Sequence, residues 1–355
     1  MKILRKILII VVILAIFSLT AEAAEPEEYI EMFESELPEE YKNSLSDDAF
    51  SDVGLGAMLF EVISIITGRG GEVVSFLLLL LGGVALISLS SLGGKLSGSA
   101  AMAVSIILCC SALWQVIPLF LEVAESISVI SEVFAVFVPV ASAITVSGGG
   151  LNAAAVGGVC MNVTVSVLTR LGTPFFLALA AFGLGVGVIS SFGEESLAPL
   201  SGSVKKFFVS ALGLVCALIM GTMSLQTFVA ATKDSASMRA AKYAATSMIP
   251  MVGSTVAGAM TTLATGLNYA KGIVGASAVA VISSVLISPL VLLLLYRLAV
   301  SLALSFSSYL GVKRAASTLE ALRLPFDLFI AVYSVAAVLC IFEIALFLVT
   351  GVGVS

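Results

Sequence analysis

The sequence predicts an all-α polytopic membrane protein. It should have about six long transmembrane helices plus two short helical hairpins broken by Pro and Gly, arranged as a parallel internal repeat. Three observations carry this expectation. Apolar residues make up 59% of the chain and charged residues 11%, with a mean hydropathy of +1.16, whereas soluble domains carry roughly 25% charge. From residue 73 onward the chain falls into apolar runs near the ~20 residues that cross a hydrocarbon core of ~30 Å. Two places depart from that pattern in the same way, with Pro and Gly inside short arms rich in small residues. Irregular backbone at membrane depth survives only where protein or a water-lined cavity satisfies it.

Residues 1–23 read as a secretory signal. Lys2, Arg5 and Lys6 form a basic start, 7–17 is a short apolar stretch, and Ala21-Glu22-Ala23 fits the A-x-A cleavage pattern. The alternative is an uncleaved N-terminal anchor, and both place residue 24 outside the cytoplasm. Residues 24–72 form an acidic extracytoplasmic segment. Between 25 and 61 lie twelve of the 23 acidic residues and one base, Lys42. This segment should contain a short amphipathic helix through Tyr29, Met32, Phe33, Leu37 and Tyr41, interrupted at Pro38, a second helix at 55–66 lying on the membrane surface, and a turn at Gly68-Arg69-Gly70-Gly71. Its acidity suits a basic partner or a plain solvated lead-in.

Residues 73–355 form the multi-span domain. Spans are expected at 73–92, 100–121, 174–192, 207–231, 290–310 and 326–349. Arms at 133–146 and 153–169, joined at Ser147-Gly148-Gly149-Gly150, form the first hairpin. Arms at 248–265 and 272–288, turning at Gly266-Leu267-Asn268, form the second. Arms of this length reach about 21–27 Å of a ~30 Å core, so they are either re-entrant or short, mutually packed spans. The positive-inside rule then puts 93–99, 193–206 and 311–325 in the cytoplasm, and the acidic loop 122–132 (Glu122, Glu125, Glu132) outside. The basic loop 233–242 violates the trend, because it is expected outside.

The two hairpins align at an offset of 111 residues, which brings Gln115 onto Gln226, Pro139 onto Pro250 and Ser147 onto Gly258. Units of about 100–192 and 207–310 result, with chance similarity of apolar segments as the alternative. Broken helices at corresponding positions of two halves point to a pathway or central site. Pro139, Gly148, Gly149, Pro250, Gly253 and Gly266 are therefore candidate pathway or hinge residues.

Few residues offer chemistry. The chain has no His, which excludes Ser-His triads and HExxH zinc sites. The five Cys lie in apolar runs and read as small buried hydrophobes rather than a metal or disulfide framework. There is no P-loop and no Gly-x-Gly-Asp pair, so the expectation is no enzyme, no cofactor, no metal and no nucleic-acid partner. Arg297 and Glu343 are charges within spans, to be read as a gated polar pathway or as a buried Arg–Glu pair. Lys233, Arg239 and Lys242 form a candidate docking loop for an acidic partner or for lipid phosphates.

Several segments resemble the stage III sporulation protein AE family of endospore-forming bacteria. They are Leu225-Gln226, Thr232-Lys233-Asp234, Met238-Arg239-Ala240-Ala241-Lys242-Tyr243, Ile249-Pro250-Met251-Val252-Gly253, Lys271-Gly272-Ile273-Val274-Gly275 and Leu295-Tyr296-Arg297-Leu298-Ala299. The resemblance implies a multi-pass protein of the mother-cell membrane around the forespore. It would act with other proteins of the stage III sporulation A operon and a forespore-side partner in a secretion-like transenvelope channel. The family is permease-like, so a stand-alone transporter of a small solute is the alternative, and a homo-oligomer is allowed. No catalytic residue carries over.

Overall fold

The computed structural model describes residues 55–91, 97–171, 198–248 and 253–349, with single positions between 172 and 197. The signal sequence, most of the acidic segment, the span at 174–192 and Pro250 lie outside the described residues. Six helices follow in order: α1 (Leu55–Ser91), α2 (Ser97–Ser147), α3 (Leu151–Leu171), α4 (Ala198–Met248), α5 (Gly253–Tyr309) and α6 (Lys313–Val349). Each is long and apolar enough to cross a membrane, so the all-α polytopic expectation holds.

Helices extend where turns were expected. Residues 68–71 lie inside α1, 122–132 inside α2, 233–242 inside α4, and 266–268 inside α5. The second hairpin, with its turn at Gly266, is therefore absent, and the first keeps its turn while its leading arm is the end of α2. The physical reason lies in the buried stripes. In α2, Val123, Ala124, Ile127, Ile130, Val133 and Phe134 are buried, which continues the helical period through the acidic residues. In α5, Leu267, Ala270, Lys271, Val274 and Ala278 do the same across Gly266. A polar residue on the open face does not end a helix whose other face is packed. Pro118 and Pro139 stay inside α2 and Pro289 inside α5, as packed membrane helices tolerate.

The two closed turns share one construction. Gly149 has φ 83° and Gly311 φ 69°. At the first, Gly150 N donates to Thr145 O (2.9 Å) and Gly149 N to Val146 O (2.8 Å); at the second, Val312 N donates to Ser307 O (3.1 Å) and Gly311 N to Ser308 O (3.2 Å). Both are Schellman caps, whose left-handed position favours glycine. A Cβ on Gly149 would also lie 2.7 Å from Met238 Sδ. Gly149→Ala is expected to cost about 1–2 kcal/mol from the left-handed backbone alone, and more from the contact. Thermal unfolding in detergent checks this: adding Met238→Ala should recover the steric part and leave the backbone part.

Contacts along the bundle give the directions. Phe120 stacks on Phe329 (4.0 Å between centroids) and Phe137 meets Phe347 (5.3 Å), so α2 and α6 run parallel. Gln226 lies by Cys160 and Asp234 by Asn152, so α4 runs antiparallel to α3. The helices alternate in direction from α1 to α6.

A belt of charge crosses this bundle at one level. Arg69 donates to Glu122 at 2.8 and 2.7 Å and to Glu72 at 3.4 Å. Asp327 gathers Lys205, Arg297 and Arg323. An aromatic cluster joins the two networks: Phe76 packs on Tyr296 (5.0 Å), Tyr296 on Phe326 (6.5 Å) and Phe326 on Phe120 (5.4 Å). The positive-inside assignment put Glu122 on one side of the bilayer and Lys205 and Arg323 on the other. The fold sets them side by side, because α2 runs straight through 122–132 instead of turning there.

Candidate functional site

Beyond the belt, α2, α3, α4 and α6 converge on a narrow cleft of about 20 Å³. Glu343 reaches it from α6, Ser142 and Thr145 from α2, Gly157 and Gly158 from α3, and Thr227 from α4. Glu343 is only 2% exposed. Its carboxylate accepts a hydrogen bond from Thr164 Oγ1 at 3.3 Å. Thr145 Oγ1 donates to its own helix at Ala141 O (2.8 Å), which leaves its lone pairs toward other partners. Small residues on α3 make the cleft: a Cβ on Gly158 would come within 3.3 Å of Ser142 Oγ, and one on Gly157 would enter open space. Phe347 forms one wall, and its ring carries the Lys271 ammonium, 4.5 Å from the centroid. Lys271 is itself 1% exposed. This cation–π contact puts a second charge at bundle depth next to the carboxylate cleft.

The expected Arg297–Glu343 pair does not form. Arg297 Nε donates to Asp327, which Lys205 and Arg323 share, and Glu343 turns to Thr164. Sixteen residues separate Asp327 from Glu343 on α6, about 24 Å along the axis, so one arginine cannot serve both. The i, i+4 spacing of Arg323 and Asp327 on one helix signals that pair alone and says nothing of Arg297.

Above the cleft α4 passes the glycine turn, where Met238 lies against Gly149. Asp234 is buried, and its carboxylate accepts from Asn152 N (3.1 Å), Asn152 Nδ2 (2.8 Å) and Ala153 N (2.6 Å). It thereby caps α3, which begins after the glycine turn, as an anion suits a helix N-terminus. From that anchor α4 runs on to Met248, about 21 Å further. The candidate docking residues lie on this extension or at its base, with Lys233 and Arg239 exposed and Lys242 half-buried. They belong to a helix rather than a loop.

The remaining candidates scatter. Gly148 and Gly149 form the cap beside Met238, and Pro139 is exposed on α2. Gly253 opens α5, and Gly266 is exposed on the same helix. Among the described residues, Glu343 alone of the predicted ones lines the cleft. Ser142, Thr145, Thr164 and Thr227 went unremarked because hydroxyls in apolar runs commonly back-bond within their own helix. Among the described residues no group of three or more His, Cys, Asp or Glu comes together.

A family model described as stage III sporulation protein AE matches residues 56–353. No curated protein and no solved structure matches the chain.

Proposed function

The chain belongs to the stage III sporulation protein AE family, and from that premise we propose that it is a multi-pass membrane component of a secretion-like channel between mother cell and forespore. It would work with other proteins of the stage III sporulation A operon and a forespore-side partner, from the mother-cell membrane that engulfs the forespore. The reading assigns the chain no enzymatic step. The observation that carries it is length. Helices α2, α4 and α5 hold 51, 51 and 57 residues, about 77–86 Å at 1.5 Å per residue, against ~40–45 Å for a whole bilayer with headgroups. Such helices reach beyond one membrane, as a transenvelope component must. The end of α4 carries Arg239 and Lys242 past the Asp234 cap at the start of α3, with Lys233 at its base, and there it suits an acidic partner surface.

Affinity purification of the tagged chain from sporulating cells tests this. The parent should recover other proteins of the operon, and Arg239→Glu with Lys242→Glu should reduce recovery at least tenfold, as like-charge juxtaposition across an interface costs several kcal/mol. Loss of recovery in Pro250→Ala alone would contradict docking at the α4 end. The buried Glu343 and Lys271 favour a second reading, a stand-alone secondary transporter of a small solute. A parent chain that purifies without partners, with sporulation intact in the charge-reversed variant, would put that reading in its place.

A further inference from the structure

Among the described residues the Glu343 carboxylate forms no ion pair, and the nearby Lys271 ammonium lies over the Phe347 ring instead. Its one hydrogen bond is from Thr164 Oγ1. At 2% exposure an isolated carboxylate is costly, and a buried charge is normally paired or bound to a metal ion. Beside it is a void of about 20 Å³, room for one water-sized particle. The cleft is lined by the Glu343 carboxylate and by the hydroxyl residues Ser142, Thr145 and Thr227, drawn from three helices, while Thr164 on α3 holds the carboxylate by its hydrogen bond. We propose that this cleft binds one Na⁺ ion, with the Glu343 carboxylate as anionic ligand and the hydroxyls of Ser142, Thr145 and Thr227 as neutral ones.

The donor set selects the ion class. Hard oxygen ligands with no sulfur or imidazole suit group 1 and group 2 cations rather than zinc or copper. A single carboxylate neutralises a single positive charge. A divalent ion beside one carboxylate, with the Lys271 ammonium already at the Phe347 wall, would leave the buried site strongly positive, which is why calcium sites gather several carboxylates. The void argues for an ion in place of a proton, since a neutral carboxylic acid needs no space beside it. Binding would tie α2, α4 and α6 together directly beneath the α4 extension. The inference stands on the cleft alone and goes beyond the channel role: Na⁺ binding and partner recovery are separate measurements and fail separately.

The test uses the full chain in detergent, with thermal unfolding followed as NaCl replaces choline chloride at constant ionic strength and pH. The parent should show a saturable rise in Tm of about 5 °C, because a ligand that binds only the folded state stabilises it. KCl should give less than half that rise. Glu343→Gln removes the buried charge at constant shape, so it should fold at least as well as the parent without sodium and lose the response. Thr164→Val, also isosteric, should need about tenfold more Na⁺ through the loss of the hydrogen bond that orients the carboxylate. No rise in the parent, an equal rise in KCl, or a full rise in Glu343→Gln would each overturn the proposal. So would a Tm that follows pH and ignores sodium, the signature of a protonated acid.

Discussion

Asp327→Ala is expected to be the most destabilising single change in the belt, at about 3 kcal/mol. Its side chain is 7% exposed and accepts from Lys205 and Arg297, with Arg323 Nε 3.7 Å away. Breaking a buried ion pair by removing one member costs about 3–5 kcal/mol, mostly because the surviving charge stays buried without a partner. Here three cations would survive. The value sits at the low end because Lys205 and Arg323 side chains are 29% and 34% exposed and can turn toward solvent or headgroups, whereas Arg297 at 17% cannot do so as easily. Removing one cation should cost less: Lys205→Met leaves Asp327 with two partners and should cost about 1 kcal/mol. Thermal unfolding of the purified variants in detergent measures both. Equal losses for Asp327→Ala and Lys205→Met would show that the carboxylate is not the hub of the network.

Asp234→Ala comes next, at about 2 kcal/mol. One carboxylate receives two backbone N–H groups and one amide at the start of α3. A helix N-cap contributes about 0.5–2 kcal/mol, and charge-assisted, buried examples lie at the upper end. Beyond this contact Met238 of α4 lies against Gly149 at the turn before α3. Asp234→Asn should retain part of the stability, since the amide oxygen still accepts at the cap. Both variants should loosen the α4 extension. Amide exchange there should rise in Asp234→Ala, while the interior of α5 near Val281 and Ile282, both buried, stays protected. Unchanged exchange beyond residue 234 would mean that the extension is held by something other than this cap.

Composition was enough to read the fold class, because an 11% charged chain has no other way to bury its surface. The glycine turn at 147–150 was equally legible, because a left-handed cap needs glycine and three stand in a row. The helix lengths were not. Glu122, Glu125 and Glu132 look like a loop when a span is assumed to end at the first charge. Their neighbours Val123, Ile127 and Ile130 keep one face packed, and the helix continues. Gly266 misled for the reverse reason: glycine permits a turn but does not impose one, and Gly266 takes no positive φ here. Partner choice was the least readable. Arg297 had two acids within reach in sequence terms, and only the antiparallel register of α5 on α6, set by the Gly311 turn, selects Asp327. Asp234 stands just beyond the expected span 207–231, and a cap that closes another helix 82 residues away leaves no local signal.

The central claim is that the α4 extension is the partner-facing end of a membrane bundle longer than one bilayer. In-cell photocrosslinking tests it most directly, with the reactive residue placed at Tyr243 on the extension or at Trp114 on α2, which are 75% and 81% exposed. The account predicts adducts from Tyr243, formed only during sporulation and identified by mass spectrometry as proteins of the stage III sporulation A operon, with lipid as the product at Trp114. Lipid adducts at Tyr243 together with protein adducts at Trp114 would contradict it.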